Sequence, residues 1–278
     1  MTARAKDPTV VSKCQQPTVQ TPIRATAIKQ GALSMAHMHA SMTEQREDTP
    51  AMRWGRLAHM AVLEPITLAS LPQWDGGRKA GKEWAAFSEC LDDGDDYVTA
   101  DELDRLAALT QATRAPLASI SPITHTEVRV DWTGELYGAA TCRIDAVLKS
   151  GGFVEVKTCR NIEERAFLRQ SYALHYEIQL GWYAHGLETT GKRGEVWVLA
   201  IESAPPYTTA LYNVSPHILA GGYREAARIA CAYRVCEAVG TFAGPYDDRV
   251  LAYELPEWAR PEEREVDISD GEMKGSDL

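Results

Sequence analysis

Thr141-Cys-Arg-Ile-Asp145-Ala-Val-Leu-Lys149-Ser-Gly-Gly-Phe153-Val-Glu155-Val-Lys157-Thr158 holds two β-prone runs around a Ser-Gly-Gly turn, the pattern of a β-hairpin. Alternation puts Glu155 and Lys157 on one face of the second strand and Val154 and Val156 on the other. A three-residue loop of Ser150, Gly151 and Gly152 would pair Lys149 with Phe153 and Asp145 with Lys157. Asp145 would then lie diagonal to Glu155, about 7–8 Å away at the backbone. An even loop would send the two carboxylates to opposite faces, so an odd loop or a bulge is required. Two carboxylates placed in this way can converge on a divalent cation with an ammonium beside them, the minimum for metal-assisted hydrolysis.

Outward from the hairpin, the 278 residues suffice for one large domain, expected over 23–253. Residues 1–22 are polar and proline-punctuated and read as a mobile arm, and 254–278 as an acidic, disordered tail. The net charge of -10 is unevenly spread: the tail carries -6 and residues 88–104 carry -8, which leaves +4 for the rest. A locally basic groove is therefore compatible with an acidic chain, and net charge does not exclude nucleic acid. The six cysteines form no CxxC pair and lack zinc-type histidine spacing, so reduced thiols are expected rather than a zinc or iron–sulfur site. No secretory h-region opens the chain and no apolar run approaches the roughly 18 residues of a membrane span, so a cytoplasmic protein without membrane contact is expected.

Before the hairpin, helices are expected over about Gly31–Gln45 and Met52–Leu63, the second stopping ahead of Pro65. His37 and His39, two apart, do not share a helix face. His59 lies one turn after Gly55; by itself it reads as a core histidine or as a ligand. Residues 73–84 form a glycine-rich basic loop with Arg78, Lys79 and Lys82, either solvated or a phosphate contact. Thr99 and Glu102 spell a capping box for a helix to about Thr113. A strand over Thr124–Trp132 carries Glu127. After the hairpin come helices over about Asn161–Gln170 and Leu174–Glu188, a central strand Glu195–Ile201, a strand Tyr207–Val214 and a helix from Ser215-Pro216 to Val239. The order gives an α/β (α+β) fold, a mixed sheet flanked by helices. His175, Gln179 and Tyr183 make a polar stripe at spacing four that needs partners, and the hairpin's ionic face can supply them.

Asp145-x9-Glu155-Val156-Lys157 resembles the core motif of the PD-(D/E)XK nuclease superfamily, with its restriction-endonuclease-like fold. Gln179-xxx-Tyr183 resembles the Q-xxx-Y element of its exonuclease branch. The helix Gly55-Arg-Leu-Ala-His59 resembles the metal-binding histidine helix of exonuclease VIII-like members. The segments Gly81–Phe87 and Val98–Leu103 are also similar to exonuclease VIII and its phage relatives, which include the lambda exonuclease-like recombination enzymes. Ile144 stands where the motif has proline. The resemblance implies that Asp145, Glu155, His59 and the Val156 carbonyl hold Mg²⁺ or Mn²⁺; a histidine ligand suits Mn²⁺ better. It implies that Lys157 orients the attacking water or neutralises transition-state charge, while Gln179 and Tyr183 position the scissile strand or support the ligands.

Arg143 reads as a phosphate contact or as a partner of Glu127 or Glu135; either acid could assist the metal, Glu127 being favoured. Arg53, Arg56, Arg78, Lys79 and Lys82 are further candidate DNA contacts. The implied activity is ATP-independent 5′→3′ exonucleolytic digestion of linear duplex DNA, leaving 3′ single strands for phage-type recombination. A ring-shaped trimer or tetramer and a single-strand annealing protein are the implied partners. An endonuclease of the same fold, restriction-like or structure-specific, and a non-catalytic DNA-binding protein are the alternatives.

Overall fold

A computed structural model describes residues 20–44, 48–92, 95–255 and 257. The chain runs β1 (Ile23–Arg24), α1 (Ala25–Gly31), α2 (Met35–Thr43), α3 (Pro50–Leu63), α4 (Pro65–Ser70), β2 (Gln73–Trp74), α5 (Lys82–Ser88), β3 (Val98–Thr99) and α6 (Ala100–Ala118). It continues through β4 (Ile123–Gly134), β5 (Gly138–Leu148), β6 (Phe153–Cys159), α7 (Glu164–Ala173), α8 (Tyr176–Thr189), β7 (Val196–Glu202), β8 (Thr209–Val214) and α9 (Pro216–Val239). Two compact units divide it, Met1–Gly244 and Pro245–Leu278, so the domain end expected at 253 lies beyond the division. The arm expected over 1–22 falls, as far as residue 19, outside the described residues, as does most of the expected tail.

Local chemistry explains most element starts. Ser34, Thr49, Thr99 and Ser215 each accept a hydrogen bond from a first-turn amide, and Thr99 with Glu102 completes the capping box. Because Ser34 caps α2, the helix begins at Met35 rather than at Gly31, which instead ends α1. Glu163 caps α7 and so delays it to Glu164. His175 adopts a left-handed conformation (φ 53°) between α7 and α8, so α8 starts at Tyr176 and His175 stands outside it.

The main sheet has six strands in the order β1-β5-β6-β7-β8, with β4 on the other side of β5. It is mixed: β4–β5, β5–β6 and β7–β8 pair antiparallel, whereas β1–β5 and β6–β7 pair parallel. One apolar cluster packs α1, α2, α8 and α9 on the sheet through Ile28, Met38, Ile144, Phe153, Trp182 and Ile229. A second packs α3 and α6 on it through Leu57, Leu106, Leu109, Leu148, Val154 and Leu199. Each such fully buried side chain contributes about 1.5–3 kcal/mol, so both helical layers are firmly seated. Close contact of α8 with α9 depends on Gly222, where an added Cβ would sit 1.9 Å from the Glu177 carbonyl. β2 and β3 form a separate two-stranded sheet, and Trp74 packs edge-on against Trp84 of α5.

The hairpin register differs from the expected one. Val147 pairs with Phe153 and Ala146 with Val154, a register shifted by two residues from the one that would set Asp145 opposite Lys157. The loop is odd but shifted to Lys149-Ser150-Gly151, closed by the Leu148 amide on the Gly152 carbonyl. Gly151 takes φ 90°, a conformation that favours glycine, and the Lys149 amide donates to Pro122 instead of entering the ladder.

Candidate active site

The ladder between β5 and β6 stops at Ala146 and Val154, while β1 pairs with β5 only at Ala140 and Thr141. Positions 142–145 of β5 are therefore left without a strand partner on that edge. Asp145 fills the gap: its Oδ2 accepts a 2.7 Å hydrogen bond from the Val156 amide. Side-chain alternation slips at the same residue, since Cys142 and Ile144 join one apolar cluster but Ala146 and Leu148 the other. Across β4 the pairs Thr126–Ala146 and Val128–Ile144 bracket Glu127, which sits at φ 51°. A left-handed non-glycine residue costs about 1–3 kcal/mol and persists where its surroundings hold it. Glu127, Asp145 and Glu155 thus occupy neighbouring positions on three adjacent strands where the sheet is least regular.

α3 brings His59 to this row, with Nδ1 3.5 Å from Asp145 Oδ2. Gly55, one turn earlier, leaves room: an added Cβ would be 3.9 Å from the nearest atom, Thr158 Oγ1. Burial lowers the His59 pKa, and the Lys157 charge lowers it further against the pull of Glu155, Glu127 and a hydrogen bond at the Val156 backbone. The ring is therefore neutral near pH 7, a potential metal ligand rather than an ion-pair partner. One ligand atom each from His59, Glu127 and Asp145 lie within 4.8 Å of one another. Glu127 is the acid that the sequence left open with Glu135. It also binds Arg143 at 2.6 Å, whereas Glu135 lies in the turn between β4 and β5.

Glu155 is 1% exposed, and its two oxygens have different surroundings. Oε1 accepts from Lys157 Nζ at 2.7 Å and from Gln179 Nε2 at 2.6 Å. Oε2 is buried with no hydrogen-bond partner among the described residues. An orphaned anionic oxygen is costly unless something positive reaches it. Burial pushes Asp145 up to about 6, and burial together with the Asp145 charge pushes Glu155 up to about 7. Burial likewise raises Glu127. Burial alone would lower the Lys157 ammonium, but Glu155 and Asp145 outweigh it and its pKa is raised. Glu127, Asp145 and Glu155 carry more potential negative charge than Lys157 and Arg143 offset, and this donor set of carboxylates with one imidazole fits a hard divalent cation.

α8 supplies a supporting layer. Gln179 donates to Glu155 and, at 3.1 Å, to the Tyr183 hydroxyl, while its Oε1 accepts from Lys29 Nζ at 3.2 Å. Gln179 and Tyr183 are both buried, so they support Glu155 and offer no surface to a nucleic-acid strand. His175 does not join them; its Nδ1 lies 3.5 Å from Glu177. Two residues the sequence reading passed over are present: Tyr176, whose ring lies 5.1 Å from Lys157 Nζ, and Lys29. Lys29 lies on the seven-residue α1, too short for a periodic signal; Tyr176 follows the helix start that His175 delays.

Arg53, expected at phosphate, instead clamps Glu102 at 2.6 and 3.2 Å and the Tyr97 carbonyl, its charge spent joining α3 to α6. Arg56 is similarly engaged by Asp48 and Asp96. Arg78 and Lys79 lie in the exposed loop before α5 and Lys82 at its first position; Lys79 stands 4.8 Å over the Tyr97 ring. None of the three forms an ion pair among the described residues. Arg143 remains largely exposed beside Glu127. A cavity of about 780 Å³ opens among α8, α9 and the start of β6, but the carboxylates do not line it, and volume does not mark the chemistry.

Residues 25–238 match the family described as a PDDEXK-like domain of unknown function (DUF3799). No curated protein matches the chain. Among solved structures, a candidate exonuclease of Eubacterium rectale superposes with TM-score 0.54 at 13% identity, over 84% of this chain and 91% of its own. An alkaline exonuclease of Laribacter hongkongensis reaches TM-score 0.42 at 13% identity, over 79% of this chain and 91% of its own. At these identities the first likeness shows fold alone, and the second carries no argument. Among the described residues no helix is long and apolar enough to cross a membrane.

Proposed function

The chain belongs to the PDDEXK-like family, and on that premise we propose that it is a divalent-metal-dependent nuclease that hydrolyses DNA phosphodiesters from the 5′ ends of linear duplexes. One observation carries the hydrolytic reading: the ligand atoms of His59, Glu127 and Asp145 converge beside the buried, partnerless Oε2 of Glu155. Those four residues would hold Mg²⁺ or Mn²⁺, with the Val156 carbonyl as a further ligand. A bound cation would polarise the scissile phosphate and lower the pKa of a water.

The protein's own groups define the rest. Lys157 stays protonated between two carboxylates, so it acts as a hydrogen-bond donor and positive charge, not as a base. It would orient the attacking water and offset charge developing on the phosphoryl oxygens. Gln179 fixes Oε1 of Glu155 and so aims Oε2. The attacking oxygen forms its bond to phosphorus as the bond to the leaving 3′ oxygen breaks, giving a 5′ phosphate and a 3′ hydroxyl. Working from an end is supported by the Q-xxx-Y resemblance.

Duplexes labelled at either end, and a covalently closed circle of the same sequence, test the reading with Mg²⁺ or Mn²⁺. Release of 5′ label from linear DNA with the circle intact is expected, and Lys157→Ala abolishes it. Cutting of the circle would replace the exonuclease by an endonuclease, and digestion undiminished in Lys157→Ala would remove this site from the reaction.

A further inference from the structure

α7 leaves β6 only a few residues after Lys157 and presents a face that the carboxylate cluster does not use. Its inner side is anchored by Phe167, whose ring stacks on Tyr212 at 5.0 Å and lies 6.4 Å from Tyr176, the aromatic under Lys157. At about 100° per residue, Arg165, Leu168, Arg169 and Tyr172 fall within roughly a third of a turn on the opposite side. These four side chains line a shallow, open depression. Tyr172 is 75% exposed and Leu168 49% exposed, an unusual display of large apolar surface on one helix. Arg165, Arg169 and the nearby Arg160 form no ion pair or side-chain hydrogen bond among the described residues. The adjacent Glu163 is occupied in accepting the Arg165 and Ala166 amides.

We propose that this outer face of α7 is a track for single-stranded DNA, with Arg165, Arg169 and Arg160 contacting phosphates and Tyr172 stacking on an unpaired base. The proposal rests on the nuclease reading for its substrate and adds the surface that handles one strand beside the site. Charge complementarity selects a polyanion. The interleaved aromatic selects a single strand, since a duplex presents phosphates but keeps its base faces stacked inside, whereas an unpaired base offers a π-face to tyrosine and arginine. Leu168 fits the same role as an apolar contact beside the stacked base.

Fluorescence anisotropy in chelator, where cleavage cannot obscure binding, tests it with a labelled oligo-dT and a blunt duplex. Tyr172→Ala should weaken oligo-dT binding about 5- to 100-fold and leave the duplex within about twofold. Tyr172→Phe should bind as the parent does, because the ring is retained. Arg165→Gln with Arg169→Gln should reduce the single-strand salt slope by about 1.4, or about 0.7 per lost phosphate contact. All these positions are exposed, and a melting curve for each variant verifies the fold. Unchanged oligo-dT binding by Tyr172→Ala would overturn the proposal. So would an oligomer that dissociates on Tyr172→Ala with DNA binding intact, which would make the face a contact between copies. Absence of cleavage by the parent would sink the nuclease reading while leaving this binding result to stand on its own.

Discussion

α3 carries two groups of charge that use the same residue types to opposite effect. Near its start, Arg53 and Arg56 meet Glu102, Asp96 and Asp48 in well-formed bidentate contacts. Burial pushes the Glu102 carboxyl up, but the Arg53 guanidinium and the Thr99 amide outweigh it and hold it below its ordinary value. Farther along, His59 meets Asp145 and its neighbours, and there burial and mutual repulsion raise the carboxyls. In the first group every carboxylate is held by an arginine, Arg56 serving both Asp48 and Asp96. In the second, Lys157 binds Glu155 and the largely exposed Arg143 binds Glu127, but Asp145 pairs with no lysine or arginine among the described residues and an oxygen of Glu155 has no partner. The first group, its carboxylates satisfied, holds helices together; the second has carboxylate oxygen left for a ligand, which is the physical meaning of a site.

Substituting one acid from each group gives the largest expected contrast. Asp145→Asn should cut cleavage by about 10³-fold or more, as loss of several kcal/mol of metal-borne stabilisation implies. The same change should raise the melting temperature in chelator at neutral pH, because it removes a buried charge that the fold disfavours; a gain of about 1–3 kcal/mol is in range. Glu102→Gln should do the reverse, leaving cleavage intact and costing about 2 kcal/mol through the weakened Arg53 clamp and capping box. Parallel melting and digestion curves test both. An Asp145→Asn chain that melts below the parent in chelator would break the comparison.

A smaller effect separates the residues that would touch the metal from those that aim them. Gln179 is a positioning residue: it holds Glu155 Oε1 and is itself held by Lys29 and paired with Tyr183. Gln179→Ala should reduce cleavage about 10- to 100-fold, and calorimetry should show weaker Mn²⁺ binding. A Gln179→Ala protein with reduced cleavage but parental Mn²⁺ affinity would move the residue out of this role.

What could be read from the sequence divides along similar lines. The capping box at Thr99 and Glu102, the Ser215-Pro216 start and the buried β7 were legible because each is a local rule with a local cause. The gathering of one polar cluster was also legible, since Asp145, Glu155, Lys157, His59 and Gln179 do come together. Their register was not. It depends on Lys149 leaving the ladder for Pro122 and on Gly151 accepting φ 90°, and the first is a tertiary contact without a local signal. Charge alone also misled at Arg53: a basic residue near a proposed DNA site reads as a phosphate contact until Glu102, far along the chain, is found bound to it. Spacing identified the candidates, while partnership, which decides their use, lies in the packing.

The pH dependence of metal binding tests that distinction most quietly. Without metal, Asp145 and Glu155 are protonated in the folded chain up to about pH 6 and 7, whereas the unfolded chain releases those protons near its ordinary carboxylate values. Unfolding between those limits therefore releases protons, and the pair's contribution to stability falls as pH rises through the window. A divalent cation must displace the same protons to bind, so its affinity should fall by up to about tenfold per pH unit for each proton displaced as pH drops below about 7. Mn²⁺ should thus raise the melting temperature strongly at about pH 8 and little at about pH 5. The Glu102 group has no part in this: its carboxyl is lowered, so its contribution is complete above the ordinary carboxylate pKa and is lost only as pH falls toward its own. Glu102→Gln should accordingly shift the whole melting profile above about pH 5 downward without altering the slope of the Mn²⁺ response, whereas Asp145→Asn should flatten that slope. An Mn²⁺ response independent of pH in the parent would mean that the metal sits elsewhere than on these raised carboxyls.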